Sequence, residues 1–567
     1  MPQFGADMDA YPADGANGLS LVERKQRTVM GLSIGEVKLL LIAGVGFLMD
    51  AYDLFIINII ALIVQQVYFN GRTIDWGLDG GVFKASANIG NILGQILFGT
   101  LGDKLGRKGV YGKELMVVIV AVILTISAPD YLGRGVSYWI TAFRILMGIG
   151  IGGDYPMSAS IVADRASIKK RGILLGLIFS NQGWGNLAAS IAGVIVIAAY
   201  KGPVQAGDIH KLSGAWRILQ GIILAPSFAV LYFRLTMVES TRYKQARALQ
   251  DNPDLIAEAE KNDKKVSSSA ASNGAGSDSD TEMGGAHAHA HAHGGKQHDD
   301  EIEKRVKSAP ASKKEKQSEF YQYFKQPRHA ATLFGTAFTW FLVDITFYGI
   351  NLNQSAILSS IGFTASANDV YNSLFKNSLG GLIITVAGFL PGYFITIALV
   401  EVIGRKSIQL LGFAFNALFL GILAGKFDTL KNDTGPFFVV FVFLQLFFNF
   451  GANATTFIIP AEVFPTRVRG TAHGISAASG KCGAILASLL FPHLSKTSFG
   501  YSGVFWVMFG ISVFAFFITL IFTRETKGFD PDEEDRQELA ALAARGAQPS
   551  LRFNTSLAAL YKDGPFQ

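Results

Sequence analysis

Cysteine and charged residues are both scarce in this 567-residue chain. Its one cysteine, Cys482, excludes a disulfide within the chain and a cysteine-rich zinc site. Charged residues make up 17% of the sequence, against about 25% in soluble domains, while 50% is hydrophobic. The mean hydropathy is +0.31. Since this leaves too little charge to cover a soluble surface, the composition excludes a soluble α/β enzyme and indicates a polytopic membrane protein.

We also expect no cleavable signal peptide. The N-terminus is polar and acidic, without a basic region followed by an apolar one, so we expect the first span to direct insertion. The net charge of +6 would suggest nucleic-acid binding in a soluble protein. Here the basic residues lie in short loops between apolar spans, where they set membrane orientation, and nucleic-acid binding is unsupported.

Twelve apolar segments predict an all-α protein of two six-helix bundles joined by a linker. The linker is rich in Ser, Lys, Asp and Glu and includes an alternating His/Ala run, a composition that predicts disorder. The predicted spans lie near 38–66, 82–101, 112–128, 137–163, 172–200, 214–236, 331–361, 371–400, 406–425, 436–460, 470–492 and 500–523. The division is a tail (1–37), a bundle (38–236), a disordered cytoplasmic linker (237–330), a bundle (331–523) and a tail (524–567).

Basic residues cluster after every second span. The clusters follow spans 2, 4, 8 and 10 and also fall in the linker and before span 1. Because twelve alternating helices place all of these on one side, the sequence predicts that the linker and both termini are cytoplasmic.

An internal repeat relates the two bundles at a fixed offset of 298 residues. Residues 103–108 (DKLGRK) align with residues 401–406 (EVIGRK), and the same offset carries Asp164, Arg171 and Gly172 onto Glu462, Arg469 and Gly470. Two matches at one offset, each after an even-numbered span, indicate that both halves share one plan.

Five short motifs resemble those of a known family. Residues 99–108 (GTLGDKLGRK), echoed at 401–406, resemble the loop signature of the major facilitator superfamily, and residues 238–242 and 524–528 resemble motifs of its sugar-porter-like branch. Residues 152–160 (GGDYPMSAS) are similar to a signature of fungal and plant high-affinity phosphate:proton symporters. The resemblance implies the twelve-helix major facilitator fold and proton-coupled import of inorganic phosphate across the plasma membrane by alternating access.

The loop signature itself predicts a gate. Arginine and lysine at a helix end can pair with acidic residues at neighbouring helix ends, such as Asp164, and so hold one closed state. Simple anchoring at the membrane surface would not need a fixed Asp-x-x-Gly-Arg spacing. The expected gating residues are Asp103, Arg107 and Lys108 in the first half and Glu401, Arg405 and Lys406 in the second.

Carboxylates within predicted spans are costly unless they pair or face a polar interior, so each is a candidate functional group. Asp50 and Asp53 share one face of span 1, Asp154 lies on span 4, and Asp344 lies on span 7. The alternative is a structural role, in which some of these carboxylates stabilise helix kinks or bond to neighbouring helices. Arg144, also on span 4, could pair with an acid of span 1 or span 3.

Span 7 carries a polar and aromatic stripe. Trp340, Asp344 and Tyr348 are spaced at i, i+4 and i+8, so they lie on one face of a helix and could surround an oxyanion. Asn449 and Asn453 repeat this spacing on span 10, and the 298-residue offset places Asn453 opposite Tyr155. These patterns also occur in ordinary helix packing.

Lys481 lies near the middle of span 11, where a buried cation needs a partner. A substrate anion and Asp344 are the two obvious candidates. By contrast, Glu114 and His473 fall near helix ends, where we expect snorkelling or pairing with loops. Span 5 supplies the neutral donors Asn181 and Gln182.

The resemblance also implies specific site residues. It implies that Asp50, Asp53 and Asp154 carry protons, and that phosphate is bound by Tyr155, Gln182, Trp340, Asp344, Tyr348 and Asn453; Lys481 matches a family position too. Asn449 is added on helical spacing alone. A protonated Asp344 can donate to phosphate whereas an ionised one repels it, so proton and anion binding would favour each other.

Two other functions remain open. A sugar or polyol transporter of the same superfamily would have a site dominated by Gln and Asn on span 7, and a phosphate-sensing receptor would use the linker or C-terminal tail as its output. A membrane enzyme is disfavoured because no metal or nucleophile–base constellation is present. The expected partners are phosphate, protons and membrane lipid, with no cofactor.

Overall fold

The computed structural model describes residues 28–29, 32–74, 77–237, 319–364 and 369–544. Within them, a short antiparallel strand pair, Thr28–Val29 with Leu32–Ser33, precedes the first helix. The first six spans are Ile34–Phe69, Gly77–Leu105, Arg107–Ile126, Gly135–Arg165, Arg171–Ala199 and Ile209–Leu235. The second six are Pro327–Asn351, Val370–Ile403, Arg405–Leu430, Thr434–Val463, Arg469–Leu494 and Gly500–Phe522. The shorter helices are Lys201–Gln205, Glu319–Phe324, Gln354–Ser360 and Pro531–Ala544.

Eleven of these twelve helices are long and apolar enough to cross a membrane. The other, span 2 (Gly77–Leu105), is long enough but more polar. Its Asn88, Asn91 and Gln95 are fully buried, and a side chain added at Gly99 would meet the backbone of Gly470 on span 11. Span 2 therefore packs against protein along much of its length, which explains how a less apolar helix belongs to the bundle.

Several spans are interrupted. Span 3 begins with the short helix Arg107–Val110, span 6 is divided into Leu212–Gly221 and Leu224–Leu235, and span 8 contains one π-helical turn at Thr385–Phe389. Span 10 breaks between Thr434–Asn449 and Ala452–Val463. Broken helices expose backbone groups at membrane depth, which is tolerated where they lie inside the protein.

The repeat is visible in the backbone. Gly106 and Gly404, related by the 298-residue offset, precede spans 3 and 9 with φ of +89° and +86°. This left-handed region favours glycine because it has no Cβ, which explains the glycine in both loop motifs.

The predicted boundaries of the linker and of span 7 need correction. Span 7 ends at Asn351 rather than near 361, because Gln354–Ser360 forms a separate helix. Helical structure begins again at Glu319 and span 7 begins at Pro327, before the expected end of the disordered linker at 330. Phe320, Tyr323 and Phe324 bury apolar surface in a small cluster with Phe464, a long-range contact that linker composition does not reveal. The N-terminal tail up to residue 27, most of the linker (238–318) and residues 545–567 lie outside the described residues.

Candidate functional site

The candidate central site lies between the two halves, where spans 1, 4 and 5 meet spans 7, 8, 10 and 11. Trp340, Asp344 and Tyr348 share one face of span 7, and each is at most 2% exposed. The remaining predicted binding residues are also buried: Tyr155, Gln182, Asn449, Asn453 and Lys481. The structure therefore brings together residues that are far apart in the sequence.

Lys481 is the cationic centre of the site. Its Nζ donates to Asp344 Oδ2 and to the Tyr348 hydroxyl, both at 2.9 Å. It also lies 5.4 Å from the ring centroid of Tyr155 on span 4. A Cβ added at the preceding residue, Gly480, would lie 2.9 Å from Asp344 Oδ2, so glycine permits this close approach. Of the two partners expected for Lys481, the structure shows Asp344.

Neutral amides form the other side of the site. Gln182 Oε1 accepts hydrogen bonds from the Tyr393 hydroxyl at 2.6 Å and from Asn453 Nδ2 at 3.1 Å. Asn453 Nδ2 also contacts Asn449 Oδ1 at 2.8 Å, across the break in span 10. Tyr348 lies close to both Tyr155 and Gln182, which connects the amides to the Lys481 group.

Two residues of this region differ from the prediction made from the sequence. Tyr393 of span 8 is absent from the predicted site, although a phenol within a membrane span is a polar group that needs a partner. His473 was expected near a helix end in contact with water, but it is fully buried, 3.2 Å from the carbonyl oxygen of Phe457. Its ring lies 5.4 Å from that of Trp340, because span 11 turns this residue toward the interior one turn after its start.

A second polar group surrounds Asp53 on span 1. Gln220 Nε2 donates to Asp53 Oδ1 at 2.5 Å, and Arg144 donates to Gln220 Oε1 at 3.2 Å. Arg144 also donates to the backbone oxygen of Asp53 at 3.0 Å. The expected partnership of Arg144 with span 1 is therefore made through the backbone and through Gln220 rather than by a direct carboxylate pair.

A third group contains three carboxyl groups and one guanidinium. Arg234, near the end of span 6, contacts Asp154 at 2.8 Å and Glu114 at 3.2 Å. Asp50 lies next to Asp154, and its Oδ2 has no hydrogen-bond partner among the described residues. Glu114 does not snorkel as one of its two expected roles would have it, since it is 1% exposed. It does pair with a loop, because its Oε1 accepts from the backbone N–H of Gly112 at 2.7 Å, in the turn within span 3. Nothing in the local sequence around Arg234 indicates that its side chain reaches into the bundle.

The loop motifs meet at one end of the bundle, which we call the charged end. Asp103 pairs with Arg107 at 3.2 Å, and Arg107 lies 3.3 Å from Asp164. Across to the second half, Asp103 accepts from the backbone N–H groups of Gly470 (3.1 Å) and Thr471 (2.6 Å).

The second half repeats this arrangement. Arg405 pairs with Glu401 at 2.6 Å and with Glu462 at 2.8 Å. Glu401 in turn accepts from the backbone N–H of Gly172 in the first half at 3.1 Å. The sequence offset of 298 residues is thus matched by equivalent hydrogen bonds.

Further contacts involve residues of the same loops. Arg469 forms an ion pair with Asp164 across the halves, and Arg107 donates to the backbone oxygen of Thr466 at 2.8 Å. Of the two lysines of the motifs, Lys406 donates to the backbone of Leu520 at 2.9 Å, and Lys108 is exposed.

The C-terminal helix, Pro531–Ala544, lies against the charged end. Asp532 accepts from the Thr466 backbone N–H at 2.6 Å and lies 3.5 Å from Arg469. Burial opposes its charge, but Arg469 and the Thr466 hydrogen bonds lower the pKa of Asp532 below its usual range. Arg467 and Asp535 add an ion pair at 2.7 Å.

The same helix contacts the start of span 7. Glu538 lies 3.0 Å from His329 Nε2 and 3.6 Å from Arg328. The His329 hydrogen bond lowers the pKa of Glu538, and Arg328 adds to the effect. The C-terminal helix therefore packs against both the charged end and the start of span 7.

Comparison with known proteins fits this architecture. The family model of sugar (and other) transporters matches residues 39–536, so the chain belongs to that family and is an integral membrane transporter of the major facilitator superfamily, not an enzyme.

Several similar proteins are named as phosphate transporters. The inorganic phosphate transporter PHO84 of Saccharomyces cerevisiae is 38% identical over 87% of this chain and 82% of its own length. The repressible high-affinity phosphate permease of Neurospora crassa is 34% identical (80% and 76%), and inorganic phosphate transporter 1-4 of Arabidopsis thaliana is 35% identical (82% and 85%). The resemblance to phosphate transporters noted from the motifs is confirmed.

Solved structures agree on the fold. A structure of the proton:xylose symporter XylE bound to 6-bromo-6-deoxy-D-glucose has a TM-score of 0.62 at 21% identity, covering 89% of this chain and 98% of that chain. An inward-open structure of XylE from E. coli gives 0.57 at 20% identity, covering 89% and 99%.

Proposed function

We propose that this protein imports inorganic phosphate together with protons by alternating access of one central site between its two halves. The observation that carries the proposal is the contact of Lys481 with Asp344 and Tyr348, beside Tyr155 and the amide group of Gln182. The names of its relatives support phosphate as the substrate. We also propose the plasma membrane as its location, which the motif resemblance implies, with both termini in the cytoplasm, which the clusters of basic residues predict.

The buried ion pair suggests how anion and proton are coupled. While Asp344 is ionised, it pairs with the Lys481 ammonium at 2.9 Å, so this cation is not available to a substrate anion. A proton on Asp344 weakens this attraction, leaves Lys481 to attract phosphate and turns the carboxyl group into a hydrogen-bond donor. When phosphate leaves, Lys481 favours the ionised form of Asp344 again and so promotes proton release. Each ligand therefore favours binding of the other, as symport requires.

The acids of the first half could carry the protons. Asp50, Asp154 and Glu114 share the charge of Arg234, so a proton on one of them relieves repulsion among the carboxylates. Asp53 also has an oxygen without a hydrogen-bond partner among the described residues. We propose that Asp50, Asp53 and Asp154 exchange protons, with Glu114 added to the group on the geometry of Arg234.

Alternating access would use the charged end as one gate. Asp103 and Glu401 each accept a hydrogen bond from a backbone N–H of the opposite half, and Arg469 forms an ion pair with Asp164. Breaking these contacts would let the halves part at that end, whereas separation of the halves at the opposite end, with these contacts kept, would open the central site to the other side. Arg107 and Arg405 hold the acids in place within their own halves.

The test is uptake of labelled phosphate by purified protein in proteoliposomes. We expect accumulation driven by an inward proton gradient, inhibited by unlabelled phosphate and unaffected by glucose. Asp344→Asn should retain some phosphate binding but lose proton-driven accumulation, because an amide cannot exchange a proton at this position. Accumulation like that of the wild type in this variant would refute the coupling role of Asp344. Binding without any uptake by the wild-type protein would favour a sensor, and competition by glucose would favour a sugar transporter.

A further inference from the structure

A small polar cavity lies between the two halves, on the side of the central site away from the charged end. We call it the outer vestibule. Its wall is formed by spans 1, 5 and 8 and by the helix Gln354–Ser360 that follows span 7. Its polar side chains include Asn58, Asn186, Ser190, Gln354, Asn377 and Ser378.

Position along the helices places the outer vestibule beyond the central site. Asn186 and Ser190 follow Gln182 on span 5 by one and two helical turns, about 6 and 12 Å. Phe55, Phe347 and Phe389 form an aromatic layer with ring centroids 5.6 to 6.3 Å apart. Phe347 precedes Tyr348 of the central site, whereas Phe55 lines the vestibule. The layer therefore lies between the two polar regions.

Two amide oxygens in the outer vestibule lack donors. The Asn377 side chain is 6% exposed, and its nitrogen donates to the Ser373 backbone at 3.0 Å. The Asn58 nitrogen donates to the Asn351 backbone at 2.9 Å. Both Oδ1 atoms remain buried without a hydrogen-bond partner among the described residues. Because an unpaired buried oxygen is costly, these atoms favour a ligand that brings hydrogen-bond donors.

The wall is closely packed where Gly381 of span 8 faces its neighbours. A Cβ added at Gly381 would lie 3.3 Å from Gln354 Nε2 and 3.5 Å from Ser190 Oγ. In the closed arrangement the cavity has room for about one water molecule. A larger ligand would enter only when the halves separate at this end, which is possible because both halves form the wall.

We propose that the outer vestibule is a second, weaker site for oxyanions that carry hydroxyl groups, of the dihydrogen phosphate class, loaded before the central site. Serine hydroxyls and the Gln354 amide can donate to the anion, and the oxygens of Asn58 and Asn377 can accept from its hydroxyl groups. Sulfate has no such hydroxyl and would leave both oxygens unpaired. No charged side chain is among the described lining residues, so the anion is not held firmly and can move on toward Lys481. This inference rests on the proposed phosphate transport.

The experiment measures the KM of phosphate uptake by the full chain in proteoliposomes. Asn377→Leu removes one acceptor and should raise KM about three- to tenfold, with a maximal rate within about twofold of the wild type. Asn377→Asp keeps the shape but adds a negative charge, so it should raise KM at least as much. The matched control is Ser359→Asp, which places the same charge on the exposed face of the helix Gln354–Ser360, outside the vestibule.

The alternatives give different results. Unchanged KM in both folded Asn377 variants would mean that the vestibule holds only water and would overturn the proposal. Stimulation of Asn377→Asp by sodium or potassium, with a lower phosphate KM, would identify a cation site and also overturn it. Arsenate should lose inhibitory strength in parallel with phosphate, and sulfate should compete poorly with the wild type. Equal competition by sulfate would refute selection through the hydroxyl groups.

Failure of this inference can be separated from failure of the proposed function. If Asp344→Asn abolishes accumulation while the Asn377 variants behave like the wild type, only the vestibule proposal fails. If the wild-type protein does not transport phosphate at all, the proposed function itself fails.

Discussion

Replacing Lys481 by methionine would leave Asp344 buried without its cation. The methionine is close to the lysine stem in length and shape, so the change removes chiefly the ammonium group and its two 2.9 Å contacts. Both partners of the ion pair are 1% exposed. We therefore expect a large loss of stability, together with loss of phosphate binding.

Two independent estimates give the size of this loss. Removing one partner of a buried ion pair typically costs about 3–5 kcal/mol, because the other charge is left uncompensated. Alternatively Asp344 takes up a proton, and bringing an ordinary aspartate with a pKa near 3.9 to its neutral form at pH 7 costs about 4 kcal/mol. Both routes predict a loss of about 4 kcal/mol in the Lys481→Met variant.

A double-mutant cycle makes the prediction testable. Adding Asp344→Asn to Lys481→Met removes the orphaned charge, so the double variant should be more stable than the lysine variant alone. Unfolding of the purified protein by heat and by denaturant measures the four stabilities. The transport rate should stay low in the double variant, because neither the cation nor the exchangeable proton is restored.

The control is the exposed ion pair of Lys431 and Asp428. Lys431→Met removes the same charge in water and should change stability little, since exposed pairs contribute little. Additive effects of the Lys481 and Asp344 substitutions, or a Lys481→Met loss no larger than that of Lys431→Met, would refute the reasoning that this pair is buried and coupled.

Three further predictions concern other parts of the molecule. Tyr155→Phe and Asn453→Ala should each weaken phosphate affinity in equilibrium binding by roughly 1–3 kcal/mol. Their effects should be non-additive, because both residues contact the same ligand. Strictly additive effects, or no effect of either substitution, would mean that the two residues only pack helices together. Arg469→Gln should open the charged end in a larger fraction of molecules, which longer distances between spin labels on the two halves would reveal. Unchanged distances would mean that the Arg469–Asp164 pair does not act in the gate. The pKa of Glu538 is lowered in the folded protein, so the carboxylate stabilises docking of the C-terminal helix fully above about pH 4.3, the usual glutamate pKa. This stabilisation is lost as the pH falls through the lowered pKa of the folded state, and protection of the helix from proteolysis should fall with it. Glu538→Gln should abolish the pH dependence of this protection.

Local patterns in the sequence predicted much of the architecture. Repeated loop motifs indicated two equivalent halves, and the structure shows equivalent hydrogen bonds from Asp103 and Glu401. Regular spacing on span 7 placed Trp340, Asp344 and Tyr348 on one face, because helical periodicity depends on a single segment. These features need no knowledge of how distant segments meet.

Features that depend on contacts between distant segments were not predicted. Arg234 reads as a basic residue at the end of span 6, and its contacts with Asp154 and Glu114 arise only when three helices pack together. His473 lies one turn from a helix end, so only the rotation of span 11 shows that it faces inward. The acidic C-terminal helix has the composition of a solvated segment, and its basic partners come from spans 7 and 11 and the neighbouring loops.

The cross-half hydrogen bonds at the charged end also cover helix N-termini. Asp103 accepts from the first-turn amides of span 11, and Glu401 accepts from a first-turn amide of span 5. Aligned peptide dipoles give such helix ends partial positive charge and unsatisfied N–H groups, a favourable setting for anions. In the proposed transport cycle, separating the halves removes both carboxylates from these amides. The opened exit would then present two positive helix ends to a departing phosphate. The movement that opens the exit would therefore also expose groups that attract the anion.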